Sequence, residues 1–257
     1  MASLSNYANK YENIKFERRS GVIQVTLHTS GKSLRWSSAI HTDLVDAFYN
    51  IGADRENKVM VLSGAGDDFC ADLDLGSFNL DTSVPPESLD QIYWEGKNML
   101  SKLLEIPCPV IAAVHGRAHI HSELLLFSDV IIADDSASFR DLHIPMGVVA
   151  GDGVHIAYPL AFGMNRGRRI LLTGEIVTAR QALDWGAIAE IVPPDELLPR
   201  AWELAERLSQ LPILALRYSR EVITREIARQ LHDNLGFGLA LEGFGSGLGA
   251  WPRPPGK

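Results

Sequence analysis

The chain has 257 residues, 46% hydrophobic and 22% charged, which suits one soluble globular unit with a sizeable core. Twenty-four Lys and Arg against 32 Asp and Glu leave a formal net charge of -8, which argues against a nucleic-acid partner held through its phosphates. Cys70 and Cys108 form no CxxC pair and are too few for a disulfide framework; with no apolar leader and no apolar run of membrane-spanning length, a cytoplasmic protein with no membrane partner is expected.

Residues 21–28 alternate Ile23, Val25 and Leu27 with polar neighbours, predicting a strand with one buried face. A polar loop carrying Gly31 and Trp36 follows, and then Ile40, Leu44, Val45, Phe48 and Ile51 recur at helical spacing. Asn57 to Leu62 predicts a second strand, and residues 67–80 read as irregular. Pro85-Pro86 breaks the chain before a helix expected from Ser88, where Gln91 completes a capping box. Ile92, Met99, Leu100, Leu103 and Leu104 give that helix its apolar face, and Pro107 ends it. The apolar runs from Val110 to Val114 and from Val130 to Ala133 predict buried strands, with a short helix over 123–127 between them. Thr178 caps a further helix that stops at Gly186, and residues 187–192 form a strand ended by Pro193-Pro194. From Asp195 to about Leu241 the pattern is helical, with Arg217, Arg220, Arg225 and Arg229 expected on solvated faces or subunit contacts. The Gly/Pro-rich tail beyond is expected to fray. Strands alternating with helices, then helices alone, predict an α/β core over 1–200 and a helical region over 201–257.

One stretch, residues 139–153, concentrates candidate chemistry, setting His143 and Asp152 nine residues apart among Gly147, Gly151 and Gly153. A carboxylate that orients an imidazole and stabilises its charged form makes a base poised near neutral pH. Read alone, the pair fits a structural loop as well as a catalytic one.

Four stretches in register resemble the crotonase (enoyl-CoA hydratase/isomerase) superfamily. Phe69-Cys-Ala-Asp72-Leu73-Asp74-Leu75 resembles the family's F-x-A-G-x-D-L; His115-Gly116 through Glu123-Leu124 resembles N-G-x-A-x-G-G-G-x-E-L. Asp129 to Phe139 matches D-x-x-I-A-x-x-x-A-x-F, and Leu172-Thr173-Gly174 through Gly186 matches the late L-T-G segment. The resemblance implies a spiral of ββα units with C-terminal helices that drive assembly into a homotrimer or a dimer of trimers.

The departures point to one branch. In the family, two backbone N–H groups bind a thioester oxygen; here Ile120-His121-Ser122 replaces the triple glycine and Asp72 replaces the first motif's glycine. An acidic acid/base residue is replaced by His143, and a small residue in the next turn by Asp152. This pattern resembles the β-diketone hydrolase branch in Gly31-Lys32-Ser33-Leu34-x-Trp36, His41, the Asp74-x-x-Ser77-Phe78-Asn79-Leu80 segment, His121, His143, Gly151-Asp152-Gly-x-His155 and Glu242. The resemblance implies a small-molecule diketone substrate, retro-Claisen cleavage by water, and neither metal nor other cofactor. Under it, His143 with Asp152 activates water, and His121 stands in for a lost oxyanion donor. Trp36 offers an indole N–H and an apolar wall, His41 helps place substrate or water, Phe78 lines the pocket, and Glu242 returns a proton to the enolate. For His121, Trp36, His41, Phe78 and Glu242 a packing or surface role stays open. His119, His121 and Glu123 alternate as ligands on one strand face would, but their context is a turn into a helix, so no metal is expected. A CoA-thioester enzyme and a non-catalytic member of the fold are the alternatives.

Overall fold

The computed structural model describes residues 2–78 and 86–245. The expected frayed tail and two motif residues, Asn79 and Leu80, lie outside them. A short helix α1 (Leu4–Tyr7) precedes an antiparallel pair, β1 (Ile14–Arg19) and β2 (Val22–Leu27). From β2 onward the chain repeats one move: a strand in a larger sheet, a shorter strand in a second sheet, then a helix. The first turn adds β3 (Leu34–Trp36) and α2 (Ser38–Ala53) to β2. The next is β4 (Val59–Gly64), β5 (Cys70–Leu73) and α3 (Pro86–Glu105), followed by β6 (Val110–Val114), β7 (Arg117–Ala118) and α4 (Glu123–Leu126). A last turn runs β8 (Val130–Asp134), β9 (Ser138–Phe139), α5 (Val154–Phe162) and α6 (Met164–Thr173). Then β10 (Val177–Thr178) closes the second sheet, α7 (Ala179–Asp184) leads to β11 (Glu190–Val192), and α8 (Leu197–Ser209) and α9 (Ile213–Gly245) end the described chain. The sheets run β1-β2-β4-β6-β8-β11 and β10-β9-β7-β5-β3, parallel except at β1–β2 and β9–β10. This is the spiral of ββα units, ending in helices, that the resemblance implies.

The long strands are where the apolar runs put them, because a parallel strand covered on both faces must be apolar throughout. Every residue of β4 and β6 is buried. One face of the sheet meets α2 and α3 through Leu44, Phe48, Leu100 and Leu103. The other receives α8, whose Leu197, Ala201, Trp202 and Ala205 cover Val22, Val59, Val61, Ile111 and Ile132. The expected boundary at residue 200 therefore falls inside α8, a helix that completes the core.

Four local expectations change. Residues 67–80 are not irregular throughout: they hold β5 and a 3-10 turn, Leu75–Phe78. Trp36 ends the short strand β3 instead of lying in a loop. Helix α3 begins at Pro86, whose missing N–H costs nothing in a first turn, so Ser88 sits inside the helix and not at its cap. Arg220 is not on a solvated face: it is 2% exposed, its Nε donates to Asp129 Oδ2 at 2.7 Å, and its Nη1 donates to the carbonyls of Leu104 and Ile106. A buried guanidinium needs such partners, and these carbonyls end α3, so Arg220 ties α9 to that helix.

Helix α9 then runs back over α3 and α5 toward the loop before α5. The approach is close: a methyl group at Gly151 would lie 2.2 Å from the Gly238 carbonyl oxygen and 2.9 Å from Glu242 Cβ. Only glycine permits that contact, and it brings Glu242 onto the loop that carries Asp152. Cys70 and Cys108 are buried free thiols, and no helix among the described residues is long and apolar enough to cross a membrane.

Candidate active site

A cavity opens between the second sheet, α2, α3 and the end of α9. Trp36, His41, Phe78, His121, His143, Asp152 and Glu242, all seven residues singled out from the sequence, line it. Leu73, Leu75, Ile92, Met99, Met146, Val148 and Leu239 supply much of the remaining wall, so the polar groups converge on a largely apolar chamber.

Each of the three histidines has its Nδ1 held by a carboxylate. His143 Nδ1 meets Asp141 Oδ2 at 2.7 Å, and Asp141 Oδ1 also accepts the His143 backbone N–H at 3.2 Å. His121 Nδ1 meets Glu123 Oε1 at 2.7 Å. His41, in the first turn of α2, meets Glu95 Oε2 of α3 at 2.8 Å, while Thr42 and Gln91 donate to Glu95 Oε1 at 2.8 and 2.9 Å. Fixing one ring nitrogen this way sets which nitrogen the ring offers on its other edge.

Here the expected pairing is corrected. Asp141, not Asp152, orients His143. Asp152 lies at the opposite edge, its Oδ2 3.5 Å from His143 Nε2 and 3.5 Å from His121 Nδ1. Its Oδ1 accepts the Val154 N–H at 3.5 Å, at the start of α5. Glu242 Oε1 is 3.7 Å from His143 Nε2. The loop reverses so sharply because Gly153, at φ +116, takes a backbone conformation closed to other residues.

The charges of this cluster follow from that geometry. Burial pulls the His143 pKa down, but Asp152, Asp141 and Glu242 more than offset it and hold the imidazole well above its ordinary value. Burial pushes Asp152 up, yet His143, His121 and the Val154 N–H leave it below the usual carboxylate value. Glu242 is raised by burial, with His143 opposing. His41 is lowered by burial in spite of Glu95, which favours the neutral ring. His119, expected not to bind metal, donates to or accepts from Ser138 Oγ at 3.0 Å and is held down to about 4, chiefly by burial.

His121 takes φ +49, rare for a residue with a side chain, in the turn where the family pattern has glycines. Its ring stacks on Trp36 with centroids 3.7 Å apart and planes 26° from parallel. Phe78 meets His41 edge to face at 6.1 Å. Two triads, His121/Glu123/Asp152 and His143/Asp152/Glu242, bring donor atoms within 4.8 Å of one another and have the donor types of a divalent-cation site. In the first, His121 Nδ1 is already engaged by Glu123.

Three partners of the site histidines were not among the expected site residues: Asp141, Glu95 and Glu123, the last weighed only as a metal ligand. Asp141 and Glu123 each stand two positions from their histidine, a spacing that for Asp141 went unused. Glu95 is 54 residues from His41, and no sequence signal joins the two.

The fold and the order of these residues define a member of a known family. The enoyl-CoA hydratase/isomerase pattern matches residues 17–241, and the chain belongs to that family. Among curated relatives, it is 29% identical over 217 residues to 1,2-epoxyphenylacetyl-CoA isomerase of Escherichia coli K12, covering 84% of this chain and 83% of that one. It is 30% identical over 213 residues to carnitinyl-CoA dehydratase of Salmonella arizonae, covering 82% and 80%. Among solved structures, a β-diketone hydrolase from the cyanobacterium Anabaena sp. PCC 7120, bound to (S)-3-oxocyclohexyl acetic acid, superposes with a TM-score of 0.91 at 43% identity, over 94% of this chain and 96% of that one. An enoyl-CoA hydratase/isomerase from Mycobacterium paratuberculosis, at 22% identity and TM-score 0.87, shares the fold.

Proposed function

We propose that the protein is a hydrolase that cleaves the carbon–carbon bond between the two carbonyls of a β-diketone, using water and no cofactor. The observation that carries this reading is the replacement of the glycine turn by His121, stacked on Trp36, in a cavity that also holds His143 between Asp141, Asp152 and Glu242. Where the family pattern has its glycine turn, the chamber is lined by the imidazole of His121 and the indole of Trp36, side chains able to donate to a carbonyl oxygen.

The chemistry runs as follows. Asp141 holds His143 Nδ1, so Nε2 takes a proton from water, and the hydroxide adds to one carbonyl carbon. The developing oxyanion accepts hydrogen bonds from His121 and from the indole of Trp36. Collapse re-forms the carbonyl as a carboxylic acid, and the bond to the central carbon breaks with its electron pair. An enolate leaves, which the second carbonyl stabilises. Its carbon takes back one proton, from His143 or through Glu242, whose raised pKa suits a donor. Atoms balance: diketone plus water gives a keto acid. The 43%-identical hydrolase was solved with a keto acid bound, and a cyclic keto acid is what such hydrolysis of a bicyclic diketone yields.

The test is formation of the keto acid, read by mass spectrometry, from a panel of cyclic and bicyclic 1,3-diketones, with a chelator present and no CoA added. Keto acid formed as diketone is lost supports the reading; no product across the panel overturns it. The CoA-ester names of the curated relatives favour a second reading, a thioester enzyme. Saturable acyl-CoA binding together with that absence of keto acid would establish it. Cytoplasmic location and a trimer or dimer of trimers complete the proposal; sedimentation of the full chain reads the latter.

A further inference from the structure

Glu123 has no part in the reaction written above, yet it is 0% exposed in the first turn of α4 and two residues from the proposed oxyanion donor. Its Oε1 meets His121 Nδ1 at 2.7 Å, and its Oε2 is buried with no hydrogen-bond partner among the described residues. An ionised carboxylate would leave a charged oxygen bare in that interior. A carboxylic acid with its proton on Oε1 leaves only a carbonyl oxygen there, the cheaper orphan by far. That proton is then directed at His121 Nδ1, which must accept it, and the ring carries its own hydrogen on Nε2. If the proton instead crosses to Nδ1, the ring is an imidazolium and Nε2 still carries hydrogen. The stack on Trp36 and the grip of Glu123 oppose the ring flip that would exchange the two nitrogens.

We infer that Glu123 is a positioning residue that shares one proton with His121, so that His121 Nε2 is a standing N–H donor for the cavity. The role given to that donor rests on the diketone reading; the protonation itself does not. Burial pushes Glu123 up to about 7, opposed by His121. His121 is raised as well, since the charge and hydrogen bond of Glu123 and the charge of Asp152 outweigh burial. The other titratable groups facing the pair are His143, His41 of α2, Glu242 of α9, Tyr158 of α5 and Cys70 of β5. Without Glu123, Asp152 at 3.5 Å is the carboxylate left near Nδ1 among the described residues; as a carboxylate it draws a hydrogen onto Nδ1 and strips Nε2 of its own.

The test is nitrogen-15 NMR of histidine-labelled full-length protein without substrate, with the His121 signal assigned by its loss in His121→Gln. The wild type should keep a hydrogen-bearing Nε2 through neutral pH and lose it only at a midpoint above the ordinary histidine value of about 6.5. Glu123→Gln, whose amide can donate to Nδ1, should keep that signature and stay within about tenfold of wild-type kcat/KM. Glu123→Leu should lose the signature and about a hundredfold or more of kcat/KM, the usual weight of an oxyanion donor. A wild-type Nε2 that titrates like an ordinary histidine overturns the inference, even if the Leu variant does not fold. So does a Gln variant as inactive as the Leu variant. A protein that turns over no diketone yet keeps hydrogen on Nε2 sinks the functional reading and leaves Glu123 in this role.

Discussion

His143 and His121 face the same cavity, each with Nδ1 held at 2.7 Å by a carboxylate two residues away. They differ at what surrounds that shared design. His143 turns Nε2 toward two further carboxylates, Asp152 at 3.5 Å and Glu242 at 3.7 Å, neither close enough for a full hydrogen bond. A proton on that nitrogen is stabilised by charge yet free to leave, which is what a base that must also return its proton requires. His121 is pinned between a fully buried carboxyl and the face of Trp36. On the inference drawn above, its hydrogen stays. On the proposed reading, similar first partners give a mobile proton in one case and a fixed donor in the other.

The sharpest way to break that contrast is to remove the mobile proton. His143→Ala should lower kcat by about 10³ to 10⁴, the upper range for general base catalysis, with an unchanged circular dichroism spectrum. Near-normal turnover would move the base elsewhere. His121→Phe keeps a ring to stack on Trp36 but removes the donor, and should cost about 10² to 10³ in kcat, less than His143→Ala. If the two losses come in the reverse order, the roles are exchanged. A smaller effect is expected from Gly151→Ala, whose methyl must push α9 away from the loop. It should destabilise the protein by about 1–3 kcal/mol, read as a shift in denaturant midpoint, and lower turnover by moving Glu242.

The sequence discloses these parts unequally. The strands β2, β4, β6 and β8 and the helix α2 stand out because long apolar runs and repeats record their burial directly. The second sheet does not: β7, β9 and β10 have two residues each, too short for any period, and exist because a neighbouring strand pairs with them. The seven cavity residues could be named because they sit in ordered motifs. Their partners were harder. Asp141 was hidden because Asp152 looked the better mate for His143, and only the three-dimensional path of the loop puts the two acids on opposite edges of the ring. Glu95 reaches His41 across two packed helices. Arg220 looked like one more surface charge until α9 was laid over the carbonyl end of α3.

The central claim, that His143 is the base, is tested most directly by the pH dependence of kcat/KM. Because Asp152, Asp141 and Glu242 hold the imidazole protonated above its ordinary value, the active neutral ring forms only as pH rises. The rate should therefore climb with pH through a midpoint above about 6.5, the ordinary value for histidine. Asp152→Asn removes a negative charge beside Nε2 and should move that midpoint down. An ascending limb in the carboxylate range, or a midpoint that Asp152→Asn leaves in place or raises, would contradict the assignment.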